Sequence, residues 1–211
     1  AAHARRQAAP LALRCSRPAP YRWSAMPSTP LTPAQARLQE IWEEHIRCEF
    51  ATRNTDDTLA TMVDDAYVNH IPVMTGGVGQ DQLREFYSRR FIPQMPPDTE
   101  MTPISRTIGD DRVVDEMVFR FTHSIRMDWM LPGVAPTGKR VEVPLVVVVH
   151  FRDGKLAHEH IYWDQASVLV QLGLLDPAVL PVAGREAPQK AADPRRPSDE
   201  LIDRAPRAVR R

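Results

Sequence analysis

Cysteine, glycine and long hydrophobic runs are all scarce in this sequence of 211 residues. The two cysteines, Cys15 and Cys48, have no C-x-x-C partner, which excludes the usual zinc and thiol redox motifs. The longest apolar run, Val143–Val149, contains a proline and is far too short for a membrane-spanning helix. We therefore expect a cytoplasmic protein that needs neither a disulfide nor a membrane.

Positive charge is missing where binding to nucleic acid would require it. Residues 1–30 carry five arginines and no acid, and residues 184–211 carry eight basic and five acidic residues. The middle of the chain, 31–183, has fourteen basic and twenty-two acidic residues, a net charge of about −8. Because affinity for nucleic acid comes largely from neutralised phosphates, we expect no nucleic-acid partner.

Both ends of the chain are rich in proline and charge. Residues 1–30 contain five prolines, which can neither continue a helix nor help to bury a core, so we expect a disordered leader. Its arginines also permit mitochondrial import, although the prolines interrupt any amphipathic helix. Residues 183–211 are expected to form a charged, proline-rich disordered tail with at most one helical turn, at Asp199–Arg204. One domain, residues 31–182, remains.

Helical periodicity dominates the first half of that domain. Thr32 begins a capping box that has proline at the first helical position, and apolar residues follow at steps of three and four. Asn54 begins a short second helix, and a third helix ends near Pro93. A short strand, Tyr67–Val73, is expected between the second helix and the third.

From residue 99 onward, apolar residues alternate with a period of two, which predicts long antiparallel strands. The expected strands are Thr99–Ile108, Arg112–Ser124, Arg140–Arg152 and Lys155–Trp163. Asp164 can cap a last helix after them. Three to four helices on one side of a curved antiparallel sheet form an α+β fold that encloses a conical cavity.

The order of these elements and several short motifs carry a resemblance to a known family. The motifs are Asn69-His70-Ile71-Pro72, Gly154-Lys155, Glu159, Tyr162-Trp163-Asp164 and Val168-Leu169-x-Gln171-Leu172-Gly173. Over about residues 33–176 the chain resembles the SnoaL-like polyketide cyclase family of the nuclear-transport-factor-2-like superfamily. The resemblance implies a cone-shaped, cystatin-like fold. It does not select one activity, because this cone hosts isomerases, cyclases, epoxide hydrolases, dehydratases and binding modules.

Two acids and two histidines are the candidate catalytic residues. Glu159 becomes a usable general acid or base if apolar side chains surround it, because lost solvation disfavours the charged carboxylate; a surface position is the alternative. By resemblance, Asp164 would abstract an activated C–H proton and return it elsewhere on the product, and its alternative role is the helix N-cap. His123 or His70 would polarise the substrate carbonyl or shuttle a proton; each could instead be a packed structural histidine.

Regular pairing across the Asp153-Gly154 turn predicts which residues of the last strand share a face. It sets Val149 opposite His158 and Val147 opposite His160. One face would then carry His158, His160, Tyr162 and Asp164, and the other would carry Glu159, Ile161 and Trp163. The pattern leaves open which of the two faces lines the cavity.

A metal site at the strand histidines is an alternative. His158 and His160 point the same way on a strand, as metal-binding pairs do, and His70, His123 or Glu116 could supply a third ligand. The cyclases that the chain resembles need no metal, so we predict neither a metal nor another cofactor.

The expected substrate-binding residues combine aromatic and polar side chains. They are Tyr162, Trp163, Trp129, His160, Glu116 and Tyr87. The connection Met127–Gly138 is unusually apolar for a hairpin loop, so it should cover something. We favour a lip over the cavity mouth with Trp129 as a flat wall, and a dimer contact is the alternative. Glu116 could instead form an ion pair with Arg120 on a half-exposed surface.

Together these patterns predict a homodimer, formed through the outer sheet face, that binds an apolar small molecule. The preferred function is cofactor-free acid–base catalysis, of the cyclase or isomerase type, on an enolisable carbonyl or polyketide-like compound. The first alternative is a non-catalytic binding module, and the second is a metal-dependent enzyme that uses the strand histidines.

Overall fold

The computed structural model describes residues 30–204. All of the expected leader except Pro30 lies outside the described residues, as does the end of the tail. The helices are α1 (Pro33–Ile46), α2 (Thr55–Ala60), α3 (Gly79–Glu85), α4 (Gln165–Leu172), α5 (Glu186–Ala192) and α6 (Glu200–Asp203). Helix α3 continues with π-helical turns over Phe86–Phe91, which carry Tyr87. The strands are β1 (Met62–His70), β2 (Thr75–Val78), β3 (Glu100–Ile108), β4 (Arg112–Thr122), β5 (Arg140–Arg152) and β6 (Lys155–Trp163). Within residues 30–204, no helix is long and apolar enough to cross a bilayer.

The six strands form one curved, unclosed sheet in the order β2-β1-β6-β5-β4-β3. β1 and β6 are parallel, and every other neighbouring pair is antiparallel. Helices α1 and α3 cover the inner face, and their apolar side chains form one buried cluster with those of the sheet. The architecture is therefore the α+β arrangement that the sequence predicted.

Helix α1 begins as its sequence dictates. The Thr32 hydroxyl accepts from the Gln35 backbone N–H, and the Gln35 side chain accepts from the Thr32 N–H, which completes the predicted capping box. Beyond Ile46 the helix continues with wider, π-helical turns over Arg47–Thr52. This long element buries Trp42, His45 and Glu49 on the side that faces the sheet.

The first strand is longer than expected and has a partner that the sequence pattern did not predict. β1 starts at Met62, two residues after α2 ends at Ala60, and it ends at His70 rather than at Val73. Residues Thr75–Val78, which include two adjacent glycines, form the edge strand β2, in which Gly76 pairs with Asn69. Gly76 has φ +140°, and a Cβ there would lie 1.9 Å from the Val68 carbonyl oxygen, so only glycine fits.

The predicted pairing of the last two strands is wrong by one residue. His150 lies opposite His158 and Val149 lies opposite Glu159. The cause is a β-bulge: Phe151 still pairs with Leu156, so Ala157 is an extra residue on β6. Beyond the bulge every side chain of β6 changes its cross-strand neighbour, which places Glu159 with the apolar residues of the inner face.

Residues 183–204 differ from the expected disordered tail, because α5 packs against the sheet. The Ser167 hydroxyl donates to the Gly184 carbonyl at 2.7 Å, and Arg185 donates to the Arg140 carbonyl at 3.0 Å. Pro188 is buried in the first turn of α5, where a missing N–H costs no helical hydrogen bond. Helix α6 is the single turn that the sequence allowed.

Candidate active site

A narrow cavity lies between the inner sheet face and the helices. The enclosed volume is only about 50 Å³, and the space with the solvent-filled mouth is about 550 Å³. The aromatic part of its wall consists of Trp42, Phe50, Phe86, Phe91, Phe119 and Trp129. The polar side chains on the wall are Glu49, His70, Tyr87 and Glu159. Such a slot suits a small or flat, largely apolar molecule.

The apolar loop after β4 forms part of this wall. Met127, Trp129, Met130 and Leu131 are all buried within the chain itself, so they are not exposed to a partner. Trp129 is fixed by two hydrogen bonds: the Thr75 hydroxyl donates to its carbonyl at 2.5 Å, and its indole N–H donates to a backbone carbonyl at 3.4 Å. The side chain therefore stands as a rigid flat side of the cavity.

A buried ion-pair cluster lies at one side of the cavity. His45 is 0% exposed, Glu49 6% and Glu159 4%. The His45 Nε2 atom lies 3.1 Å from Oε1 of Glu49 and 3.1 Å from Oε1 of Glu159. The Tyr87 hydroxyl completes the cluster, 3.4 Å from Glu159 Oε1. His45 itself is behind the wall, so the two carboxyl groups separate it from the lumen.

The hydrogen bonds of His45 define its protonation. Its Nδ1 lies 2.6 Å from the Thr61 hydroxyl, which donates its own hydrogen to the Thr58 carbonyl and so must accept from Nδ1–H. Burial alone would lower the pKa of His45, but the charges of Glu49 and Glu159 outweigh it and raise the pKa to about 10. His45 is therefore an imidazolium at neutral pH, and it donates Nε2–H to the carboxylates.

Burial raises the pKa of two other members of the cluster, Glu49 and Tyr87. It raises the pKa of Glu49, an effect that the neighbouring His45 charge only partly offsets. Burial also raises the pKa of the Tyr87 phenol, and the charges of Glu159 and Glu49 raise it further. Tyr87 thus remains protonated and can serve as a hydrogen-bond donor.

His70 lines the cavity as a neutral ring, in contrast to the charged ring of His45. Burial lowers the pKa of His70 to about 4, although the charge of Glu159 raises it in part. Its Nδ1 lies 3.3 Å from the Thr75 carbonyl oxygen. The ring packs against Trp129 and Trp163 at centroid distances of 5.3 and 5.7 Å. One cavity therefore contains a neutral histidine on its wall and a charged histidine behind it.

One group of side chains has the spacing of metal ligands. The ligand atoms of His45, Glu49 and Glu159 all lie within 4.8 Å of one another, so these residues could hold a metal ion. The strand histidines proposed from the sequence are in another place. His158 and His160 lie on the outer face, where their rings are 4.9 Å apart, and the sheet separates them from His70.

Four of the predicted site residues lie together on the cavity wall: Glu159, His70, Trp129 and Tyr87. Trp163 is buried next to His70, but its indole N–H donates to Gln165 at 2.8 Å and it is not part of the wall.

Asp164 and His123 lie away from the cavity. The Asp164 carboxylate accepts from the Ser167 backbone N–H at 3.1 Å and caps α4. His123 follows β4 and is fully buried, with Nδ1 3.3 Å from the Thr137 hydroxyl. Among residues 30–204, no partner reaches its Nε2. Neither side chain can touch a molecule in the cavity as it stands.

The remaining predicted residues are on the outer sheet face. Tyr162 is 42% exposed, and His160 lies beside it with ring centroids 6.4 Å apart. Glu116 accepts from the Ser105 hydroxyl at 2.9 Å. The ion pair predicted between Glu116 and Arg120 does not form, since four strand residues span about 13 Å; Arg120 pairs with Glu142 at 3.3 Å instead.

His45 and Glu49 are the site residues that the sequence did not reveal. They are four residues apart and stack on the same side of α1 and its extension. One sequence feature could have indicated them, because both are ionisable residues on the apolar side of a helix. A buried charge requires a partner, so such residues predict a buried ion pair.

Comparisons with known proteins agree with this architecture. A family model described as the SnoaL-like domain matches residues 42–159. A candidate SnoaL-like polyketide cyclase from Jannaschia is 19% identical, with a TM-score of 0.54 over 72% of this chain and 100% of its own. AclR, a candidate hydroxylase from Streptomyces galilaeus, is 20% identical, with a TM-score of 0.52 over 67% and 88%. A Catenulispora acidiphila protein with a ketosteroid isomerase-like fold, solved with trimethylamine, is 18% identical, with a TM-score of 0.50 over 64% and 94%. No curated protein matches the chain.

Proposed function

The chain belongs to the SnoaL-like domain family, and we propose that it is a cofactor-free acid–base enzyme acting on a small enolisable carbonyl compound. One observation carries this proposal: a carboxyl group, that of Glu159, faces a narrow apolar cavity, where His45 holds it from behind and Tyr87 contacts it on the cavity wall. A positioned carboxylate in poorly hydrated surroundings is suited to abstracting a proton from carbon.

Glu159 is the proton carrier in this mechanism. Its carboxylate takes a proton from the carbon next to the substrate carbonyl. The electron pair of the broken C–H bond forms the new C=C bond, and the π pair of the C=O bond moves to the oxygen, which gives an enolate. Glu159 then returns the proton to another position of the product, so the enzyme ends as it began. His45 orients the carboxylate and offsets its charge, as the ion pair at 3.1 Å allows.

Tyr87 is the donor that stabilises the enolate oxygen. The other donors near the wall are occupied, since the Trp42 indole N–H donates to Asp115 at 2.7 Å and that of Trp129 donates to a backbone carbonyl. The hydrogen bond from Tyr87 to Glu159 is long, at 3.4 Å, so the hydroxyl can turn to the substrate at little cost. Tyr87 thus takes the polarising role that the sequence suggested for His123 or His70.

The experiment is α-proton exchange in deuterated water on a panel of small cyclic and aromatic ketones. We expect Glu159→Gln to lose exchange, because an amide cannot accept the proton. The matched variant Asp164→Asn should retain it, because asparagine also caps helices. Loss in Asp164→Asn but not in Glu159→Gln would assign the proton transfer to Asp164. No exchange by the unaltered protein would favour a non-catalytic binding module.

The competing candidate function is that of a metal-dependent enzyme. Elemental analysis of the purified protein tests it. The 4.8 Å spacing of the ligand atoms of His45, Glu49 and Glu159 favours this candidate. If the unaltered protein contains stoichiometric metal and Glu49→Gln does not, the result would favour a metal-dependent enzyme over cofactor-free proton transfer.

The outer sheet face supports the homodimer that the sequence predicted. Tyr67 stacks on His158 at 4.7 Å, and the His150 ring follows at 4.9 Å. These rings are only half-buried in the monomer, and the exposed Tyr162 lies at the end of the row. We expect sedimentation to show a dimer that Tyr162→Glu weakens; a monomeric unaltered protein would contradict the prediction.

A further inference from the structure

His70 provides the cavity with a hydrogen-bond acceptor that the proposed reaction does not use. A carbonyl oxygen can only accept, so the contact between His70 Nδ1 and the Thr75 carbonyl at 3.3 Å requires the hydrogen to be on Nδ1. A neutral imidazole has one N–H, and its other nitrogen then has a free lone pair. The Nε2 atom of His70 is therefore an acceptor.

The surroundings keep the ring neutral and its Nε2 available. His70 is 3% exposed, and four aromatic rings surround it, those of Phe86, Phe91, Trp129 and Trp163. Within residues 30–204, the one hydrogen bond of the ring is at Nδ1, so no group there donates to its Nε2. In that same part of the chain, His123 Nε2 is the one fully buried side-chain nitrogen or oxygen without a partner, so Nε2 of His70 is accessible from the cavity that the residue lines. A donor on a bound molecule can therefore reach it.

The distance from His70 to Glu159 sets the shape of such a molecule. Val68 pairs with Glu159, and His70 pairs with Ile161 on the parallel strand. The side chains of all four residues line the cavity. Two residues along the strand and one strand across place the Cα atoms of His70 and Glu159 about 8 Å apart. A single flat ring can therefore reach both side chains.

We propose that His70 selects substrates that carry a hydroxyl group across the ring from the enolisable carbonyl, because its Nε2 accepts the hydroxyl hydrogen. The substrate class is thus a compact hydroxylated aromatic or cyclic ketone. This inference rests on the proposed function for the carbonyl end of the molecule, and on His70 alone for the hydroxyl end.

The test uses 4-hydroxyacetophenone and 4-methylacetophenone as probes, because a hydroxyl and a methyl group are close in size. Equilibrium binding is measured at neutral pH by NMR titration. We expect the hydroxyl probe to bind about ten-fold more tightly to the unaltered protein, a difference of about 1.4 kcal/mol. His70→Phe, which fills the same aromatic site without an acceptor, should abolish this preference. Equal binding of the two probes, or a preference that survives in His70→Phe, would overturn the proposal.

The binding titration tests the role of His70, and the exchange assay tests the proposed reaction, so the two proposals can fail separately. If Glu159→Gln loses exchange and the unaltered protein shows no hydroxyl preference, only the assignment of His70 fails. If the preference exists without any exchange, the proposed reaction fails and the acceptor role stands. Nitrogen-15 spectra of the histidine rings add a readout that needs no variant: Nε2 of His70 should carry no hydrogen at neutral pH, and a protonated Nε2 would refute the proposal.

Discussion

The Nε2 atom of His45 lies 3.1 Å from a carboxylate oxygen of Glu159, and both side chains are buried between α1 and β6. Glu49 shares the same nitrogen, so one positive charge balances two acids in a site with little water. A buried pair of this kind is weak evidence for net stability, but removing one partner is costly.

Replacing His45 by glutamine should therefore destabilise the protein by about 3–5 kcal/mol at neutral pH, because Glu49 and Glu159 would face each other without a cation. The matched control is Glu44→Gln on the exposed side of the same helix, where the ion pair with Arg47 contributes at most about 1 kcal/mol. Urea unfolding at pH 7 measures both variants. A loss in His45→Gln no larger than that in the control would contradict the buried ion pair.

The neutral His70 should make the protein less stable in acid. The pKa of an unfolded histidine is about 6.5, whereas burial lowers the pKa of His70 to about 4. Between these values the unfolded state binds more protons, so the free energy of unfolding falls as the pH falls from 6.5 to 4. The loss attributable to His70 is about 3 kcal/mol, from about 1.4 kcal/mol per pKa unit.

His70→Phe should remove that part of the pH dependence. Glu159, the charged group that faces His70, is present in both proteins, so the difference between the two stability curves isolates the histidine. Chemical unfolding at several pH values gives the curves. Curves that run parallel between pH 4 and 6.5 would show that His70 titrates normally in the folded state.

Gly76→Ala should disrupt the hairpin of β1 and β2. A Cβ at residue 76 would lie 1.9 Å from the Val68 carbonyl oxygen, and φ +140° is unfavourable for alanine. We expect a loss of more than about 3 kcal/mol, or no folded protein at all. Gly109→Ala is the control, since its Cβ would make an ordinary contact at 3.7 Å. Similar unfolding midpoints for the two variants would refute the predicted loss of stability in Gly76→Ala.

Asp164 should matter for helix stability rather than for chemistry. Asp164→Ala removes the acceptor of the Ser167 N–H and should cost about 1 kcal/mol, whereas Asp164→Asn should cost only a few tenths. Thermal unfolding measures the stability of both variants, and ketone exchange per folded molecule measures their activity. A large fall in exchange for a stably folded Asp164→Asn would return Asp164 to the reaction.

Much of the fold followed from local rules. The capping box at Thr32 and the apolar spacing after it specify α1, because a helix start depends on residues within one turn. The Asp153-Gly154 turn and the alternating residues on each side of it specify β5 and β6 within their observed limits. The resemblance to SnoaL-like proteins is confirmed by the match of the family model.

The register of β6 depended on more than local pattern. Counting outward from the turn assumes one residue opposite one, and the bulge at Ala157 violates that assumption. A shift of one residue exchanges the two faces of a strand, so the energy of burying Ile161 and Trp163 decides the register. That choice placed Glu159 in the cavity and the histidines His158 and His160 outside it.

The sequence by itself determined the α+β class, the long first helix and the four long strands, since each depends on spacing, turn residues and caps that lie close together in the chain. Only the tertiary structure decided the site. His45, Tyr87 and Glu159 come from two helical elements and a strand that are far apart in sequence, and the charges they carry depend on burial and mutual contact. This burial and these contacts exist only once the helices have packed against the sheet.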